Sequence, residues 1–151
     1  SKGLGTTVVV ALLTKDYLLY ANVGDSSGFA MKNGHLLKVT KDHTLVQLLV
    51  QAGDITEEEA KYHPKKNVLM KALGGEEDVI PDIYEVDMSF DAILLSSDGL
   101  TNMLSNESIE NVLNDEDLTP EEKVVKLIRK CNARGGTDNI SVAYLVKESG
   151  E

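Results

Sequence analysis

Three aspartates stand in matching settings along the chain. Asp25 lies in Val23-Gly24-Asp25-Ser26, Asp98 in Ser97-Asp98-Gly99-Leu100 and Asp138 in Gly135-Gly136-Thr137-Asp138-Asn139. Each falls where a strand-like apolar run meets a loop rich in glycine or hydroxyls. Carboxylates brought together from strand ends suit hard divalent cations, because Mg²⁺ and Mn²⁺ prefer oxygen ligands and keep several waters. His35, His43 and His63 have no zinc-like spacing, and the single cysteine, Cys131, adds nothing to a thiolate site. No phosphate-cradling glycine loop, dinucleotide fingerprint or Gly-x-Ser-x-Gly elbow occurs. The residues therefore point to a carboxylate-held Mg²⁺ or Mn²⁺, and leave open which reaction it serves. Asp98 has a second reading, as the N-cap of a following helix.

The elements that must position these acids can be read from hydrophobic period. Ala92-Ile93-Leu94-Leu95 shows no alternation, so it reads as a strand buried on both faces, with Asp98 just beyond its end. Thr6 to Leu13 is β-branched and apolar, a central strand that opens almost at the first residue. Tyr17 to Val23 forms its hairpin partner. Phe29 to Lys32 and Leu36 to Val39 flank Asn33-Gly34, a pair that tolerates positive φ and signals a tight hairpin. Leu45, Leu48 and Leu49 then mark a short helix ending at Gly53. Thr56-Glu57-Glu58-Glu59 is a capping box whose helix stops by His63-Pro64. Val68 to Leu73 and Ile80 to Val86 read as strands, with a loop over residues 74–78. A helix opens near Ser105, and another at Thr119-Pro120 carries Val124, Leu127, Ile128 and Cys131 on one stripe. Cys131 thus reads as a small core hydrophobe. Ile140 to Val146 is the last strand, followed by a short polar tail. Strands joined by hairpins, with most helices late, predict an α+β fold in which antiparallel sheet is covered by helices.

Composition narrows the partners. At 151 residues the chain suits one domain with a substantial core. Fifteen Lys and Arg against 25 Asp and Glu give a net charge of −10. That balance argues against nucleic acid, whose binding needs cations to neutralise phosphates, and against an anionic membrane surface. A phosphorylated ligand stays compatible if divalent metals supply positive charge locally. One cysteine rules out an intrachain disulfide and fits a reducing, cytoplasmic setting. No signal peptide and no run of membrane-spanning length is visible.

Taken together, a set of segments resembles the bacterial metal-dependent Ser/Thr protein phosphatases of type 2C. They are Gly5-Thr6-Thr7, Ala21 to Ser26, Thr40-Lys41-Asp42-His43-Thr44-Leu45-Val46 and Gly53-Asp54-Ile55-Thr56 with Glu58-Glu59-Ala60. Further on come His63-Pro64 with Asn67, Ala72-Leu73-Gly74, Leu94 to Leu100, and Gly135 to Ser141, all in the family's order. The resemblance implies a sandwich of two antiparallel sheets flanked by helices, in α-β-β-α layers, with two core Mn²⁺ or Mg²⁺ ions between the sheets. It implies in-line attack of a metal-activated water on phosphoserine or phosphothreonine of phosphoproteins made by a Ser/Thr kinase. Asp98 and Asp138 match the family's core metal ligands, and Asp25 matches an acid that with Asp98 helps hold a third, weaker metal. Residues 47–67 match a flap beside the metals. Lys61, Lys65, Lys66 and Lys71 are candidates for docking a phosphorylated segment, against the plainer reading of a solvated face. His63 fits the flap motif rather than a general acid.

The chain also departs from the family pattern. The resemblance covers the C-terminal part of a single catalytic domain, residues 1–151, whose upstream Asp-Gly-x-Gly-Gly segment is absent here; a start at a central strand agrees with a partial, incomplete sandwich. Ser27 stands where an arginine usually follows Asp-Ser, and Lys71 where an arginine is common, so bidentate contacts are lost. Such a chain alone is expected to be nearly inactive, and its open sheet edges to invite pairing between copies. The rival expectation is a non-catalytic regulatory or binding module of the same fold. A generic Ca²⁺-binding β domain ranks last, because no EF-hand spacing occurs.

Overall fold

Twelve elements build two antiparallel sheets and a helical layer, in a computed structural model that describes residues 3–75 and 77–148. The first sheet has the order β1-β2-β5, from Val8–Leu13, Leu18–Val23 and Asp82–Val86. The second has the order β4-β3-β6-β7, from His35–Lys38, Ser27–Lys32, Ala92–Ser96 and Val142–Val146. The helices are α1 (Leu45–Gln51), α2 (Glu57–Lys61), α3 (Asp98–Thr101), α4 (Asn106–Leu113) and α5 (Pro120–Ala133). The α+β architecture read from the sequence is the one observed. None of the helices is long and apolar enough to cross a membrane.

β6 is apolar from Ala92 to Leu95 because both its faces are covered. Leu94 and Ala92 point into a core shared with Phe29, Leu100, Ile109, Leu127 and Cys131, between the second sheet and α4–α5. Ile93 joins Leu18, Tyr20, Ala30 and Phe90 in the core between the two sheets. Cys131 is fully buried, as its place on the α5 stripe requires. Tyr20 fastens the sheets together. Its ring lies over Gly28, where a Cβ would collide with it, and its hydroxyl donates to the Phe29 carbonyl at 2.6 Å. Burial pushes the Tyr20 phenol up, so it stays a donor.

Local chemistry explains most boundaries. Asn33 and Gly34 have φ of 52° and 79°, the turn that joins β3 to β4. Thr56 and Glu59 form the reciprocal capping box at α2. Thr119 caps α5 with Pro120 in its first turn.

Two strand readings change. Residues 68–73 form no strand; Leu69 and Leu73 make only isolated bridges to Thr44 and Thr6. Val68, Leu69 and Met70 are exposed and no ladder runs beside them, so their apolar character finds no second strand to pack in. β1 is an edge strand among the described residues, not a central one, because only β2 pairs along it. The helical covering is likewise one-sided among the described residues. Val10, Leu12 and Ile83 on the outer face of the first sheet are 48%, 52% and 60% exposed. Of the expected loop over residues 74–78, Glu76 lies outside the described residues, as does the end of the polar tail.

Candidate functional site

Strand register brings two of the three acids together. β3 and β6 run antiparallel with Ser27 opposite Ser96. Asp25 lies two residues before Ser27 and Asp98 two beyond Ser96, so both leave the same end of neighbouring strands. Their side chains come within hydrogen-bonding reach of each other. Burial pushes the Asp25 carboxyl up to about 6, and the nearby Asp98 and Asp42 carboxylates add to the rise. Two half-buried carboxylates at this range resist joint ionisation unless a cation or a proton lies between them.

The local fold holds each acid in place. Asp98 opens α3 without capping it: Ser97 occupies the cap position, and Asp98 sits in the first turn. The Asn102 amide donates to Asp98 Oδ2 at 3.5 Å. Asp25 follows Gly24, whose φ of 108° suits glycine and whose missing Cβ would run into Thr7. Thr7 in turn bonds the Ser26 hydroxyl at 2.8 Å. The buried Asn22 amide reaches the carbonyls of Gly24 and Lys41 at 3.3 and 3.2 Å.

Asp138 sits nearby on a different footing. Ser96 pairs with Val142, so the antiparallel register carries residues 138–139 past the first turn of α3. The loop is tied there: Ser141 N donates to Ser97 Oγ at 3.0 Å, and Gly99 has no room for a side chain against the Asn139 carbonyl. The Asp138 carboxylate is exposed and turns back on its own loop, accepting from the Asn139 amide at 2.7 Å. Among the described residues, no three His, Cys, Asp or Glu side chains stand together as a ready metal cage. What the structure brings together is the pair Asp25–Asp98, with the Asp138 loop packed beside it.

The four lysines are separated by environment. Lys61 pairs with Glu58 at 2.9 Å on the exposed α2, and Lys65 and Lys66 are exposed just beyond. Lys71 is half-buried and lines a cavity of about 300 Å³ with Asp42, His43, Asp82 and Tyr84. His63 accepts from the Lys65 amide at 3.0 Å, its ring folded onto its own turn. Sequence reasoning missed His43 and Asp82, which meet at 2.7 Å. The hydrogen bond to His43 holds the Asp82 carboxyl below its usual range. The two lie 39 residues apart, so no local spacing could have announced them.

The chain matches known proteins over nearly all its length. The profile of the family described as protein phosphatase 2C covers residues 1–138. The serine/threonine phosphatase stp of Listeria monocytogenes is 42% identical over 147 residues, spanning 97% of this chain and 58% of that protein. Protein phosphatase PhpP of Streptococcus pneumoniae is 38% identical over 145 residues, 95% of this chain and 58% of its own length. Serine/threonine phosphatase Stp1 from Staphylococcus aureus superimposes with a TM-score of 0.91 at 35% identity, covering 99% of this chain and 58% of that one. The catalytic domain of PstP, in complex with two manganese ions, does so with a TM-score of 0.77 at 35% identity, over 93% and 58%. The chain thus spans about three fifths of the length of these relatives. By the extent of the profile and by these identities, it belongs to the protein phosphatase 2C family.

Proposed function

We propose that the protein to which this chain contributes hydrolyses phosphoserine and phosphothreonine in proteins phosphorylated by a Ser/Thr kinase, using Mn²⁺ or Mg²⁺. The observation that carries the reading is the Asp25–Asp98 pair, whose mutual repulsion a divalent cation would relieve. The donor set fits such an ion: both groups offer oxygen, and Mg²⁺-type ions are commonly held by one or two carboxylates plus waters and substrate phosphate. Asp25 and Asp98 would hold one such ion, the weaker one, and Asp98 with Asp138 from the adjoining loop would hold a core one. Bound there, such cations would supply a water of lowered pKa and neutralise phosphoryl charge. The chain's own part is to keep two acids side by side at one sheet end. The exposed lysines near α2 and Lys71 attract the phosphorylated segment toward that end.

Phosphatase assays with p-nitrophenyl phosphate and a phosphothreonine peptide, with and without Mn²⁺, test the reading. A longer protein containing this chain and an upstream Asp-Gly-x-Gly-Gly segment should turn both over, and EDTA should abolish activity. Asp98→Asn in that protein should weaken Mn²⁺ binding by more than the roughly 10- to 100-fold typical of outer-shell partners. The 151-residue chain alone should be nearly inactive. Absence of turnover by the longer protein refutes the phosphatase reading; brisk turnover by the short chain refutes the second expectation. One observation favours a non-catalytic binding module instead, the lack of a three-acid cluster among the described residues. Phosphopeptide binding by the longer protein without turnover is its signature.

A further inference from the structure

His43 grips the loop that carries Asp25 through both main-chain polar groups of Gly24. Its amide donates to the Gly24 carbonyl at 2.9 Å, and its Nδ1 accepts from the Gly24 amide at 2.9 Å. A ring nitrogen that accepts carries no proton, so the neutral imidazole has its hydrogen on Nε2. Nε2 then donates to Asp82 Oδ2, 2.7 Å away. The order is carboxylate, imidazole, main-chain amide, and then the acid next in sequence. In metal centres a carboxylate behind a histidine selects the tautomer that leaves the far nitrogen free to bind. Here the far nitrogen holds a backbone amide.

The loop needs such a grip. Gly24 has no side chain of its own to restrain it, and glycine is the most permissive residue in φ. The His43 side chain is only 14% exposed, so water competes little for its bonds, while Asp82 is 49% exposed at the rim. We propose that His43, oriented by Asp82, is a positioning residue that sets the Asp25 carboxylate against Asp98. The consequence for cation affinity rests on the metal reading above; the grip on Gly24 does not.

The test uses the full 151-residue chain and three readouts. Nitrogen-15 NMR of the imidazole reports the tautomer, amide exchange reports Gly24, and Mn²⁺ titration reports the acid pair. Wild type should show a neutral ring protonated at Nε2. His43→Ala should speed Gly24 exchange about tenfold, the scale of one lost hydrogen bond, while amides of β3 and β6 keep their protection. It should weaken Mn²⁺ binding about tenfold. His43→Asn places Oδ1 near the lost Nδ1, and should restore Gly24 protection and most of the Mn²⁺ affinity. Asp82→Asn should release the tautomer and show part of the alanine effect. A ring protonated at Nδ1, or a His43→Ala chain with Gly24 exchange and Mn²⁺ affinity unchanged, overturns the proposal. So does exchange that rises equally in β3 and β6, since His43 would then serve the fold at large. A wild-type chain that binds no Mn²⁺, with Gly24 responding as expected, removes the predicted effect on cation affinity in this chain and leaves the positioning of the loop standing.

Discussion

Asp25 gains its unusual character from company as much as from burial. Its carboxyl is lifted from 3.8 to about 6, so in the absence of a divalent cation its ionised form works against the folded state. The sign follows from linkage: a raised acid leaves the fold unpenalised below the unfolded pKa, and stability is lost as pH climbs through the folded value. Asp25→Asn should therefore melt like wild type at pH 4 in EDTA and higher than wild type at pH 8. The gain should be about 1–2 kcal/mol once solvent screening of a half-exposed pair is allowed for. Added Mn²⁺ should reverse the order, because only wild type can use the cation's binding free energy. Thermal melts at the two pH values, each with EDTA and with Mn²⁺, check both halves. The acids themselves were legible, since an acid after a strand and beside glycine is a local pattern. Their pairing was not, because it depends on Ser27 meeting Ser96 across the sheet.

At the scale of elements, the sequence disclosed what is decided locally and concealed what is decided by neighbours. Asn33-Gly34, the Thr56 capping box and the Thr119-Pro120 start all depend on residues within four positions, and all appear as read. Residues 68–73 have strand-like composition but no ladder, and composition cannot show that a partner is missing. The one-turn α3 was read only as the helix that Asp98 would cap, and Ser97 caps it instead. Its four residues are too few for a periodic signal, and contacts at its base define it. Gly99 is the tightest of these, with the Asn139 carbonyl where a side chain would be. Gly99→Ala should destabilise by about 1–3 kcal/mol, the usual range for overpacking, and should displace the Asp138 loop from α3. Urea unfolding gives the first quantity, and amide shifts of residues 137–141 give the second.

Over the whole molecule, the layering is uneven among the described residues. Helices α4 and α5 cover one side of the second sheet, while the first sheet shows Val10, Leu12 and Ile83 to solvent beside the unpaired edge of β1. Apolar surface next to open backbone favours association. Light scattering at rising concentration should show the 151-residue chain forming dimers or larger species, and Leu12→Lys should return it to monomer. Monomeric wild type at every concentration would remove this expectation. The antiparallel sandwich was readable from hairpins and late helices; the bareness of one face was not, since a uniformly apolar strand such as Val8–Leu13 looks the same whether or not its outer side is dressed. The bond from Tyr20 across to Phe29 has an experimental use of its own. The chain has no tryptophan, and Tyr20 is its one tyrosine with no exposed surface. Near-ultraviolet circular dichroism should therefore be dominated by the ring that rivets the two sheets. That band should fade when the sheets part, even while far-ultraviolet dichroism still reports intact strands.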